Sequence, residues 1–119
     1  MDNNFQFPAT VDQLFVQANQ LDLYQALIQQ LRKDFTLANS EITLSENMLP
    51  EQVFGAVQNK IFSLLHHDFA AYLNLLYIID VPEHIIKKLD GSDFGELSYQ
   101  ISFLLLKREW QKVWFKKYY

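Results

Sequence analysis

The acid in the most informative setting is Asp80. It follows the apolar run Leu75-Leu-Tyr-Ile-Ile79, so it belongs beside a core. Arg108 and Lys112 stand inside an equally apolar stretch, Leu104 to Phe115. Arg108 lies four residues after Leu104 and four before Lys112, a spacing that puts it on a core-directed helical face. A guanidinium there must be paired, because an isolated buried charge is far too costly. Asp80, Glu83 and Glu109 are the candidate partners, and Asp80 is preferred. Asp80, Arg108 and Lys112 therefore read as a structural ion pair, a buried clamp and not a catalytic dyad. Asp80 also has a simpler role available as a helix cap, at about 1 kcal/mol.

The imidazoles are His66, His67 and His84, with Asp68 and Glu83 as neighbours. A metal would need three or four such groups to converge. Adjacent residues on a helix point in different directions, and no i, i+4 pair of ligands exists. His66 and His67 instead suit a helix C-terminus, where a protonated ring meets the dipole favourably. The chain has no cysteine, which excludes zinc fingers, iron–sulfur clusters, thiol catalysis and disulfide scaffolds. No nucleophile elbow, phosphate loop, dinucleotide fingerprint or HExxH is present. Gly91 and Gly95 sit among Asp90, Asp93 and Glu96, which would repel an anion. No catalytic, metal-binding or cofactor-binding residue is assigned, and no cofactor is expected.

The C-terminal stretch interleaves Trp110, Trp114, Phe115, Tyr118 and Tyr119 with lysines. Residues 107–119 hold five basic side chains against one acidic, while the rest of the chain holds five against thirteen. Trp110 and Trp114 read first as core. Trp114, Phe115, Tyr118 and Tyr119 are the candidate interface, because an exposed aromatic cluster is rarely left bare. The alternative is electrostatic binding of an anionic membrane surface or nucleic acid through Lys107, Lys112, Lys116 and Lys117. The overall charge of −4 argues against a dedicated nucleic-acid binder. A third reading, an enzyme using Asp80 and His84, has no motif behind it.

The elements that must position these groups are helices. Thr10-Val-Asp-Gln13 is a capping box, and apolar stripes at helical spacing follow it. They predict helices over about 10–20 and 22–39, or one bent helix. An extended loop over 39–47 pins Ile42 and Leu44 to the core. Pro50 opens a third helix ending near His66. A fourth, from about 68 to 79, is apolar on almost every side and is expected to be the most enclosed. Asp80-Val-Pro-Glu83 caps a short fifth helix that ends at Asp90-Gly91, and Ser92 caps the sixth, over about 93–117. The expectation is one all-α domain over residues 1–119, a compact bundle of five or six helices with a long C-terminal helix. Residues 1–9 read as a flexible N-terminal tail. Eleven apolar residues, Phe69 to Ile79, are about half of what a spanning helix needs. With no signal-peptide pattern at the start, a cytoplasmic location is expected.

Tyr72-Leu-Asn-Leu-Leu-Tyr-Ile-Ile-Asp-Val-Pro-Glu83 and Leu105-Leu-Lys-Arg-Glu-Trp-Gln-Lys-Val-Trp-Phe-Lys116 resemble a family of small helical bacterial proteins, of the Bacteroidetes type, whose function is unknown. The resemblance covers about residues 22–117. Relatives of this type often carry Arg where Ile78 stands here. The resemblance implies a bacterial, cytoplasmic origin and a helical fold, and it assigns no activity. The function expected is that of a non-enzymatic helical module that self-associates or binds a partner protein.

Overall fold

Thr10 is extended and its Oγ1 accepts the Gln13 amide at 3.1 Å, while Gln13 Oε1 accepts the Ala9 amide at 3.0 Å. The capping box thus starts the first helix of the computed structural model, which describes residues 6–119. The elements are α1 (Val11–Gln20), α2 (Tyr24–Leu37), α3 (Pro50–His67), α4 (Phe69–Ile79), α5 (Glu83–Ile86) and α6 (Phe94–Tyr118). Among the described residues there is no strand. The expected all-α bundle with a long C-terminal helix is the observed one.

The chain stops three of its helices without glycine. Asp22, Asn39 and Asp80 take positive φ, at 59°, 57° and 69°. After each, the next amide reaches back to close the turn: Leu23 to Ala18 O, Ser40 to Phe35 O and Val81 to Leu76 O. This is the Schellman arrangement, with Asp or Asn where glycine is usual. Residues 10–39 are therefore two helices. Asp80 is corrected by the same observation: it ends α4 and does not cap α5. Ser92 also yields its expected role. Asp93 Oδ1 accepts the Gly95 and Glu96 amides and caps α6.

Helix α6 has 25 residues, roughly 37 Å of helix, in a molecule 43 × 29 × 23 Å. It packs against α1, α2, α3 and α4, most extensively against α3. Ile101, Leu105, Leu106 and Trp110 are fully buried along it, and Trp110 Nε1 donates to Gln17 Oε1 at 3.2 Å, tying α6 to α1. The first five residues of the expected tail lie outside the described ones. Three of the remaining four are held: Pro8 is buried, Ala9 bonds to Gln13, and the Phe7 ring lies 5.5 Å from Lys107 Nζ.

The expectation for α4 needs a larger correction. Tyr72, Leu75, Leu76 and Ile79 are buried, but Phe69, Leu73 and Tyr77 face outward. Hydropathy counts the apolar residues; it does not count the helices available to cover them. Neighbours cover one side of α4 only. Asn74, the polar break in this helix, has a clear role: its Nδ2 donates to Ala38 O at 3.2 Å, satisfying a carbonyl at the end of α2.

Candidate functional site

Two regions depart from the ordinary distribution of polar and apolar groups. The first is inside. Asp34 belongs to the buried stripe of α2 that contains Leu27, Leu31 and Phe35. Glu109 lies four residues from both Leu105 and Val113 on the buried ridge of α6. Packing α2 on α6 brings the two acids to one ammonium. Lys112 Nζ is 2.9 Å from Asp34 Oδ2 and 3.2 Å from Glu109 Oε1. Gln30 Nε2 adds a hydrogen bond to Asp34 Oδ2 at 3.1 Å.

The two carboxyls are in different states. Glu109 is fully buried beside Asp34 and Lys112. Burial, reinforced by the adjacent Asp34, pushes its carboxyl up to about 9. It is therefore protonated at neutral pH and donates toward Asp34. Burial also pushes Asp34 up, but hydrogen bonds from Glu109, Lys112 and Gln30 outweigh it and hold Asp34 below the usual carboxylate range. The two shifts run in opposite directions, so the set favours one carboxylate, on Asp34, against the Lys112 ammonium. Glu109 is closed to solvent between α2 and α6.

Arg108 and Lys112 part company. Arg108 Nη2 meets Asp80 Oδ2 at 3.1 Å and Arg108 Nε donates to Asp80 O at 3.1 Å. Arg108 Nη1 donates to Gln111 Oε1. The Asp80 side chain is 78% exposed, so this pair lies at the surface and not within helix packing. The core-facing ridge of α6 is one residue further on, at Glu109. Lys112 does not join Asp80; it turns to Asp34 and Glu109. That also removes Lys112 from the outward basic set. Lys107 is half-buried, with its Nζ over the Phe7 and Phe103 rings, while Lys116 and Lys117 are exposed.

The histidines stay apart from these groups. His66 sits in the last turn of α3, its Nδ1 2.9 Å from Phe62 O and its ring against Phe62 and Phe94. His84 is exposed on α5. Among the described residues no three metal-ligating side chains converge, and no helix is long and apolar enough to cross a membrane. At the C-terminus, Trp114 contacts Phe115, Tyr118 and Tyr119, with ring centroids 5.0–5.9 Å apart. Phe115 also meets Tyr119 at 5.1 Å. Trp114, Phe115 and Tyr118 are half-buried and Tyr119 is exposed.

The second unusual region is outside. Phe69, Leu73 and Tyr77 stand at i, i+4 and i+8 of α4 and are 56%, 51% and 81% exposed. They form one lip of a groove of about 840 Å³ that continues over Ile86, Leu89 and Leu97. Asp68 marks the N-terminal end of this face and Lys87 lines the groove near its other end. Sequence reasoning assigned α4 to the core and so passed over the face. The available signal was that three large apolar residues at strict i+4 spacing form a stripe apart from the one holding Tyr72, Leu75, Leu76 and Ile79. No protein-family model, curated protein or solved structure matches this chain.

Proposed function

We propose that the protein is a non-enzymatic helical interaction module that pairs with a second copy of itself through the outward face of α4. The observation that carries this reading is the exposed stripe Phe69, Leu73 and Tyr77 beside the large groove. Exposed apolar surface of this kind favours association. The stripe is symmetric about Leu73, so a two-fold antiparallel pairing sets Leu73 on its own counterpart and Phe69 against Tyr77. That arrangement also runs the two helix dipoles in opposite senses. Self-complementarity of this kind is what a symmetric dimer interface requires.

Three side chains fall short of the roughly 800 Å² per partner of a stable interface, so the groove walls must contribute the rest. The expected dimer is therefore of moderate affinity, on the order of micromolar. A bacterial, cytoplasmic setting belongs to this reading, on the resemblance of residues 72–83 and 105–116. The test is sedimentation velocity of the full chain from about 1 to 300 μM, a range that brackets such an affinity. A concentration-dependent dimer that Leu73→Glu abolishes supports the proposal. A strict monomer across the range removes it. A dimer that survives Leu73→Glu but is lost when residues 115–119 are deleted transfers the interface to the C-terminal aromatics.

A further inference from the structure

Between α2 and the C-terminal part of α6 lies a separate cavity of about 410 Å³. Its apolar side is made by Leu23, Ala26 and Val113, and its charged side by Lys33, Lys116 and Lys117. Among the described residues no carboxylate lines it. The nearby buried acid, Asp34, is engaged by Lys112. Among the described residues none of the three lining lysines forms an ion pair. Gln30, which also lines the cavity, is bonded to Asp34, so this wall is anchored to the buried charge cluster.

The lining selects a ligand class. Three lysines from two helices line one concavity, and their summed positive potential attracts an anion to its rim. The uncharged surface is made of aliphatic side chains with Gln29 and Gln30, and offers no ring on which a base could stack. A volume in the range of roughly 300–1,000 Å³ is that of a small-molecule site. A flat bilayer would touch the lysines without reaching Leu23, Ala26 or Val113. We propose that this cavity binds a free anionic amphiphile, an alkyl carboxylate or alkyl phosphate, with its head at Lys33, Lys116 and Lys117 and its chain on Leu23, Ala26 and Val113.

The experiment is an amide-resolved NMR titration of the full chain with decanoate below its micelle concentration. Parallel titrations use decanol, inorganic phosphate and phosphatidylglycerol vesicles. Saturable shifts confined to residues 23–33 and 113–117 are expected. Decanol and inorganic phosphate should each bind about tenfold more weakly or worse, a difference of 1.4 kcal/mol in binding free energy. The exposed triple variant Lys33→Gln, Lys116→Gln, Lys117→Gln should weaken decanoate by a similar factor and leave decanol unchanged. Ala26→Phe, which fills the cavity, should abolish binding of both chains. The proposal is overturned by any of four results: equal affinity for decanoate and decanol, equal affinity for decanoate and inorganic phosphate, a triple variant that binds decanoate normally, or binding to vesicles alone.

Discussion

The α2–α6 contact and the outer face of α4 invert the usual arrangement in opposite ways. The first places Asp34, Glu109 and Lys112 inside; the second places Phe69, Leu73 and Tyr77 outside. In the inner one the Asp34 carboxylate has the Lys112 ammonium as its counter-charge, and burial disfavours a second negative charge on Glu109. Among the described residues nothing covers the outer one. A buried polar group that is fully satisfied belongs to architecture, whereas an exposed apolar group that is not covered points toward association. Burial alone does not separate structure from function; completeness of the local set does.

The sharpest way to break the comparison is to take one member out of the inner set. Lys112→Met leaves the Asp34 carboxylate buried beside a neutral acid. Losing one member of such a pair costs roughly 3–5 kcal/mol, and the partial exposure of Lys112 sets the expectation at the lower end. Urea denaturation measures it. Glu109→Gln is the counterpart. It keeps the volume and the hydrogen-bond donor, so it should cost far less than Lys112→Met. A loss as large as that of Lys112→Met would show that Glu109 is ionised and that the assignment of the proton is mistaken.

The pH dependence follows from the same assignment. Glu109 titrates near 9 in the folded protein and near the ordinary carboxyl value of about 4.3 when unfolded. Between those values the folded state holds the extra proton, so stability falls as pH rises from about 5 to about 9. Asp34 acts in the opposite sense at the acid end. Its folded value lies below its unfolded one, so its contribution is present above about pH 4 and is lost as pH falls through the folded value. Denaturation midpoints measured from pH 4 to 10 should decline toward the alkaline side, and Glu109→Gln should flatten that decline.

Leu73→Glu probes the outer region by the same measurement. It should change monomer stability by no more than about 0.5 kcal/mol, because the side chain is already half in water. A large loss would mean that this face is packed and not waiting to be covered. The smallest effects are expected at the surface and at the helix ends. Arg108→Ala should cost about 1 kcal/mol or less, since the Asp80 side of that pair is open to solvent. Asn39→Gly should stabilise by a few tenths to about 1 kcal/mol, because glycine takes φ 57° without the cost of a Cβ. Thermal melts resolve both.

Much of the fold was legible because helices announce their ends. Thr10 with Gln13 and Pro50 mark boundaries where the structure has them, whereas Asp90-Gly91 lies four residues beyond Ile86, the last residue of α5. Asp80 misled, because an aspartate before Val-Pro-Glu fits a cap on the following helix as well as a stop on the preceding one. Only the positive φ separates the two. The inner charge set was harder to read. Acids belong to the surface by default, and the charge that stands out in the apolar run, Arg108, is one residue away from the buried ridge. The clue was positional: Asp34 is seven residues from Leu27 and three from Leu31, and Glu109 is midway between Leu105 and Val113. Each acid therefore occupies a place in a stripe that otherwise holds only core residues. That the two stripes meet, and that Lys112 reaches both acids, depends on how α2 crosses α6, which no local pattern encodes.

The length and position of α6 also govern how the molecule comes into being. It touches four of the other helices, yet it is synthesised after all of them. At about 5–20 residues per second, α1 to α5 must wait a second or more for its 25 residues to be made. During that interval Asp34 lacks both Glu109 and Lys112, and the inner sides of α2 and α3 stand open. Nascent chains halted before Phe94 should therefore be readily cut by protease, and protection should arrive in one step once α6 emerges.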